Sequence, residues 1–294
     1  MQKLRKIMLV AKRDSEEAVI LAKKVYEILL KMDIELLVER ELAWKMMLEK
    51  GFSIRNADVD MIITIGGDGT VLKVANEVKE KEIPILTINA GTVGFLSEIN
   101  KEEVENKLPR ILMGKYAVKE CTRIKAKIIS FPMMKQTINN IEGIYPTIDA
   151  LNEISIITST PVKVLNLSVK RFEEEVFRGR CDGLIISTTT GSTAYALSSG
   201  GPIIDPLLDV FVIVALSPLK LYQRPVILSS DSKIEVEVLE DGAEALISAD
   251  GRGYIHLPVG AKLLIEKSEF KTKLICAEKD NFYRKLKSRI LMNL

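Results

Sequence analysis

Residues 63–71 read Ile-Thr-Ile-Gly-Gly-Asp-Gly-Thr-Val, an apolar run that stops at three glycines with an acid among them. Gly66, Gly67 and Gly69 at the end of a strand let the backbone turn sharply and bring its N–H groups close to an anion. A helix beginning at Thr70 would add its partial positive charge. This suits phosphate. The spacing is neither a Walker loop, which needs G-x-x-x-x-G-K-[ST], nor the dinucleotide fingerprint, whose last glycine would fall on Leu72. Asp68 is the odd member, because a carboxylate beside a phosphate is repelled unless a metal ion or a transferable proton lies between them. Two roles follow: accepting the proton of an attacking hydroxyl, or helping to hold magnesium. An ordinary Gly-Asp-Gly turn is the plain alternative.

Two further stretches carry polar groups where chemistry could use them. In Cys-Asp-Gly-Leu-Ile-Ile-Ser-Thr-Thr-Thr-Gly-Ser-Thr-Ala-Tyr-Ala-Leu-Ser-Ser-Gly-Gly, residues 181–201, a β run enters a hydroxyl-rich loop. Gly191-Ser192-Thr193 can then cap a short helix. Small residues let a flat ring approach the backbone, and Tyr195 can stack on it; a capped turn without a ligand fits the same letters. Asn152-Glu153 is a polar pair in an apolar strand context, and if buried it needs partners. Asn can bond an adenine edge and Glu can accept from ribose hydroxyls, although a hairpin turn would also explain the pair. Asp250-Gly251 reads as a hairpin turn between two strands.

The single histidine, His256, removes whole reaction classes: no Ser-His-Asp triad, no H-E-x-x-H and no poly-histidine metal centre. It alternates with apolar neighbours as a solvent-facing strand residue and is given no role. Three cysteines without C-x-x-C spacing argue against a disulfide framework and a zinc site, and fit a reducing cytoplasm. With 42 basic and 40 acidic residues intermixed, the chain lacks the basic stripe of a nucleic-acid binder. The apolar run near the N-terminus is too short for a membrane span and reads as a first strand.

The elements that must position these groups fall into two textures. The first third alternates strand and helix signals as β-α-β-α-β-α-β, predicting a doubly wound parallel-sheet α/β domain over 1–115 that carries the glycine turn. From Tyr116 short, mostly alternating apolar runs predict a β-rich domain over 116–280. Residues 281–294 read as a C-terminal helix that packs back on the first domain.

Together and in this order, the segments Gly-Gly-Asp-Gly-Thr, Ile-Asn-Ala-Gly-Thr-Val-Gly-Phe-Leu, Leu-Asn-Glu-Ile-Ser-Ile, the long 181–203 stretch, Arg-Pro-Val-Ile-Leu, Ala-Asp-Gly and Phe-Tyr-Arg-Lys-Leu resemble the NAD kinase family over most of the chain. The resemblance implies phosphoryl transfer from ATP or polyphosphate, with magnesium, to the 2'-hydroxyl of the adenosine ribose of NAD, at a site between an α/β and a β-rich domain. It implies Asp68 as the acid that activates the hydroxyl, with Gly66, Gly67, Gly69 and Thr70 facing phosphates. Asn152 and Glu153 would hold adenine and ribose. Gly191, Ser192, Thr193, Ala194, Tyr195 and Ser198 would bind the dinucleotide, and Asp182 would reach it in a neighbouring subunit of a homodimer or homotetramer. Lys73, Lys163, Arg180 and Arg252 are candidates for phosphate contacts. Three departures stand out: Thr188-Thr189-Thr190 where Thr-Pro-Thr is common, which removes a fixed φ and suggests a less rigid loop; Pro218-Leu219 where Pro-His is common; and residues 130–150, which match no family motif and suggest a hairpin near the site. The losing alternatives are a lipid kinase built on the same glycine turn, which calls for an apolar acceptor cleft, and a dinucleotide sensor without catalysis.

Overall fold

The computed structural model describes residues 4–32, 34–91, 94–130, 147–220, 222–277 and 282–287. It divides into two compact units, Met1–Cys121 with Phe270–Leu294, and Thr122–Glu269. The expected hairpin at 130–150 falls largely outside the described residues.

In the first unit strands and helices alternate: β1 Lys6–Ala11, α1 Glu16–Leu30, β2 Glu35–Val38, α2 Arg40–Lys45, β3 Met61–Gly66, α3 Asp68–Glu77 and β4 Ile85–Asn89. Then come β5 Ile99–Asn100, α4 Val104–Leu112 and the start of β6 Ala117–Ser130, whose residues from Thr122 onward belong to the second unit. The sheet is parallel in the order β4-β3-β1-β2. Every residue of β3 and β4 is buried, which is why neither strand shows polar alternation. Helix α1 starts where Ser15 Oγ accepts from Ala18 N at 3.2 Å, with Glu16 and Glu17 against the positive end of the helix. It buries one stripe: Ala18, Leu21, Ala22, Val25 and Leu29. The parallel order places the carboxyl ends of β1 and β3 side by side, where open α/β sheets bind ligands.

The second unit is β-rich: β7 Thr147–Ala150, β8 Glu153–Thr158, β9 Leu165–Arg171, β10 Glu174–Cys181, β11 Gly183–Thr188, β12 Val210–Leu216, β13 Val226–Ser229, β14 Ile234–Val238, β15 Ala245–Ala249, β16 Arg252–Leu257 and β17 Lys262–Cys276, whose residues from Phe270 onward belong to the first unit. One antiparallel sheet runs β13-β12-β11-β8-β15-β16, and β10-β9-β14-β17 form a second antiparallel set. Ile154, Ile156, Leu184 and Ile186 of the first share one core with Leu167, Val169, Val236 and Leu263 of the second, as in stacked sheets. A short helix, α5 Tyr195–Ser198, interrupts the β texture. The chain ends, among the described residues, on α6 Phe282–Leu286 in the first unit, where Lys285 Nζ meets Glu98 Oε2 at 3.0 Å.

Two features differ from the sequence reading. β6 and β17 are 14 and 15 residues long rather than short. β10 escaped notice because a register shift between Glu175 and Phe177 interrupts the two-residue period.

β6, β7 and β17 are tied by a buried ion pair. Arg123 Nε donates to Asp149 Oδ1 at 2.6 Å and Ser268 Oγ donates to Asp149 Oδ2, with Arg123 and Asp149 both buried. Removing one partner strands the other's charge. Arg123→Met is therefore expected to lower stability to denaturant by about 3–5 kcal/mol, and adding Asp149→Leu to recover most of the loss; an equal loss in the double variant would contradict this.

Candidate active site

β3 ends at Gly66, Gly67 is the N-cap of α3, and Asp68 is its first residue. The Asp68 carboxylate is held by a distant loop: Oδ2 accepts from Phe95 N at 2.8 Å and Oδ1 from Leu96 N at 3.1 Å. A Cβ at Gly94 would collide with that carboxylate, so the loop approaches only as glycine. Two amides fill two of about four acceptor positions. The rest stay open to a hydroxyl proton or a cation.

Gly67, Gly69, Thr70 and Lys73 line a cavity of about 250 Å³ together with Ala11, Lys12 and Arg13 from the end of β1. Backbone amides at a helix start beside three cationic side chains make an anion site. Glu41 of α2 reaches both Arg13 (3.5 Å) and Lys73 (3.9 Å). Among the described residues no three His, Cys, Asp or Glu side chains cluster as metal ligands. A magnesium ion carrying several waters needs only one or two carboxylates plus phosphate oxygens, and Asp68, set between two cavity-lining glycines with lone pairs to spare, fits that demand.

In the second unit Asn152 and Glu153 stand where β7 turns into β8. Their backbone is pinned by one carboxylate: Asp250 Oδ2 accepts from Leu151 N at 3.0 Å, and Oδ1 from Asn152 N at 2.7 Å and Glu153 N at 3.3 Å. Asp250 does this at φ 51°, a left-handed conformation in which a non-glycine is uncommon. Arg252 Nη2 lies 3.4 Å from Asp250 Oδ2. Thr188 N donates to Asn152 O at 2.8 Å, while Thr188 Oγ1 donates to Leu151 O at 2.7 Å and accepts from Gly191 N at 3.1 Å. A Cβ on Gly191 would overlap the Asn152 carbonyl.

The side chains are left unsatisfied. Asn152 Oδ1 and Glu153 Oε2 are buried without a hydrogen-bond partner, in residues each only 7% exposed. Burial, and then the negative charge of Asp250, push the Glu153 carboxyl up to about 7. A ligand offering N–H and O–H groups would satisfy both atoms.

Residues 190–198 sit beside this pair through Gly191. Thr190–Thr193 form a 3-10 turn, and α5 follows with Ala194 as an N-cap that makes no side-chain bond. Gly191-Ser192-Thr193 do not cap the helix as expected. Ser192 Oγ donates back to Thr189 O (2.7 Å) and Thr193 Oγ1 to Thr190 O (3.3 Å), so the hydroxyls hold the turn instead. Tyr195, 43% exposed, and Ser198 present surface. Thr189, which replaces a proline common in the family, has φ −54°, close to the proline value. Its hydroxyl donates to Leu208 O at 2.6 Å and accepts from Val210 N at 3.2 Å, so the loop is tied by side-chain bonds.

Not every candidate gathers there. In the register of β8 and β11, Ser187 faces Glu153 and Gly183 faces Ile157, so Asp182 lies at the opposite end, roughly 17 Å along the strand from Glu153. Asp182, Arg180 and Lys163 are all exposed, and Arg180 Nη2 donates to Asp241 O at 3.3 Å. Lys12, Arg13 and Gly94 were given no role by sequence, Thr188 was noted only as a departure in its loop, and Asp250 was read only as a hairpin turn. Lys12-Arg13 directly follow a strand, a cue that was present; the span from Asp250 to residue 151 left none.

Raising a carboxyl from 4.5 to about 7 means that the folded state holds the Glu153 proton more tightly. The stability this contributes is full below about pH 4.5 and lost as pH rises through 7, by about 3 kcal/mol. Glu153→Gln is expected to flatten that slope in denaturation followed from pH 4.5 to 8; an unchanged slope would contradict it. Gly94→Ala should displace Asp68 and abolish activity while the fold survives, checked by circular dichroism beside a turnover assay.

The sequence model of the ATP-NAD kinase N-terminal domain matches residues 7–116, and that of the ATP-NAD kinase C-terminal domain matches residues 151–277. The NAD kinase of Methanothermobacter thermautotrophicus is 38% identical over 97% of this chain and 96% of its own, and that of Thermococcus sibiricus 42% identical over 92% and 93%. Yeast NADH kinase, solved with NADH, superposes with a TM-score of 0.88 over 99% of this chain and 89% of its own; at 21% identity that likeness speaks to the fold. An NAD kinase from Archaeoglobus fulgidus, solved with ATP, is 27% identical with a TM-score of 0.73 over 97% and 98%. With both domain models matched and relatives alike over nearly their whole length, the chain belongs to the NAD kinase family.

Proposed function

We propose that this chain transfers the terminal phosphoryl group of ATP to the 2'-hydroxyl of the adenosine ribose of NAD, giving NADP and ADP. The observation that carries the reading is the buried, unpartnered pair Asn152 Oδ1 and Glu153 Oε2, held by Asp250 and Thr188. These are groups suited to the polar edge of a base and to ribose hydroxyls, and they oppose an apolar lipid acceptor.

The donor's phosphates lie on Gly66, Gly67, Gly69 and Thr70, with Lys12, Arg13 and Lys73 balancing their charge. Asp68 takes the proton of the ribose hydroxyl; the oxygen bonds to the terminal phosphorus as the bond to the bridging oxygen breaks. The amides of Phe95 and Leu96 fix the carboxylate's direction. Magnesium, when bound with the donor, neutralises phosphate charge, and Asp68 is the carboxylate that shares in holding it. Asn152 bonds the adenine edge, Glu153 the ribose, and Gly191, Ser192, Thr193, Ala194, Tyr195 and Ser198 receive the dinucleotide, with Tyr195 against a ring and Arg252 near the phosphates. Asp182 serves a neighbouring copy in a homodimer or homotetramer, in keeping with its place at the other end of the strands, and the exposed Arg180 and Lys163 are candidates for phosphate contacts. The cytoplasm is the proposed compartment; among the described residues no helix is long and apolar enough to cross a membrane.

Purified protein with magnesium, NAD and either ATP or polyphosphate is expected to form NADP; no NADP above a blank with any donor would contradict the function. Asp68→Asn is expected to lower turnover by about 10²- to 10⁴-fold with NAD affinity by calorimetry unchanged. Near-normal turnover would take the proton-accepting role from Asp68.

A further inference from the structure

The sole tryptophan of the chain, Trp44, is on the surface, 78% exposed on α2, and Met47 just beyond the helix is 93% exposed. Tryptophan so uncovered leaves a large apolar face in water. Helix α2 buries Leu42 and Ala43, which turns Glu41, Trp44 and Lys45 outward together. Met47 N donates to Trp44 O at 3.1 Å, with Met47 at φ 57°, so the two exposed side chains belong to one turn of chain.

That turn is fastened to the cationic cavity. Glu41, three residues before Trp44, pairs with Arg13 and Lys73, and Lys45, the next residue, donates through Nζ to Arg13 O. Arg13 and Lys73 line the cavity. The cavity itself holds about 250 Å³ and is walled by cations, glycine backbone, a threonine and one alanine. Sites that enclose a whole drug-sized ligand run to roughly 300–1,000 Å³ with apolar walls. Its cationic side chains and backbone amides suit a phosphate chain better than the face of a purine. A nucleotide whose phosphates fill it must therefore lay its base on the rim.

Resting on the kinase reading above, we infer that Trp44, flanked by Met47, is the platform on which the purine base of the phosphoryl donor stacks, so that this surface distinguishes nucleoside triphosphates from inorganic polyphosphate. Stacking on an indole suits any purine, so ATP and GTP are both accepted here and tripolyphosphate gains nothing from it. The patch is fastened through Glu41 and Lys45 to residues of a cavity whose charge already selects the rest of such a ligand, which favours a nucleotide over a second copy of the chain.

Because Trp44 is the only tryptophan, the full chain's tryptophan emission, excited beyond the absorption of its seven tyrosines, reports on this surface alone. ATP is expected to quench it saturably, and tripolyphosphate to leave it unchanged. In steady state Trp44→Ala should raise the KM for ATP about tenfold, leave the KM for NAD as it was, and leave any turnover with tripolyphosphate unaltered, while Trp44→Phe restores the KM for ATP. NADP formation with a wild-type KM for ATP in Trp44→Ala, and emission indifferent to ATP, would overturn the platform and leave the kinase standing. Absence of NADP with every donor would instead remove the kinase reading. Emission that follows protein concentration rather than ATP would assign Trp44 to contact between copies and overturn the inference.

Discussion

The polar pair at 152–153 depends on a carboxylate almost a hundred residues away. Asp250 takes three consecutive amides, those of Leu151, Asn152 and Glu153, into two oxygens. A buried carboxylate so supplied is satisfied, whereas the side chains it positions are not. Two polar groups are thus kept out of water with no protein partner, a state that costs free energy until something else bonds them. The β-rich unit around them explains how the cost is sustained: β8 is central in its sheet, between β11 and β15, and its apolar residues anchor the core.

The α/β unit uses the same device for a different end. Asp68 also takes amides from a loop far along the chain, those of Phe95 and Leu96, and Gly94 gives the loop room to approach. Here the carboxylate is itself the group proposed to react, and the amides fix its direction without exhausting its acceptor capacity. The parallel sheet sets the stage by ending β1 and β3 together, which brings Lys12 and Arg13 to the glycines. A carboxylate set between two glycines that line a cationic cavity, awkward as a static feature, becomes reasonable for an acid proposed to handle a proton during phosphoryl transfer.

Much of this was legible in the sequence. The unbroken apolar run before Gly66 marked a buried parallel strand, and the change of texture after Tyr116 marked the β-rich region, because periodicity records burial directly. Asn152-Glu153 stood out as polar letters in an apolar frame. Asp250 did not: Ala-Asp-Gly is what a hairpin looks like, and nothing local says that the side chain turns to meet a distant strand. The three threonines at 188–190 misled in another way. They suggested a looser loop for want of proline, yet the Thr189 hydroxyl ties it to Leu208 and Val210. Side-chain bonds to remote backbone are set by tertiary structure, and one-dimensional patterns do not carry them.

Glu153 is proposed to wait, its Oε2 buried and unpartnered, for the acceptor's hydroxyl groups. Carbon-13 NMR of the glutamate carboxyls, with Glu153 assigned through Glu153→Gln, measures this directly. Free protein is expected to show Glu153 titrating near 7, and saturating NAD to move the midpoint down as ribose hydroxyls donate to the carboxylate. A midpoint at the ordinary carboxylate value in free protein, or one that NAD does not move, would contradict the account.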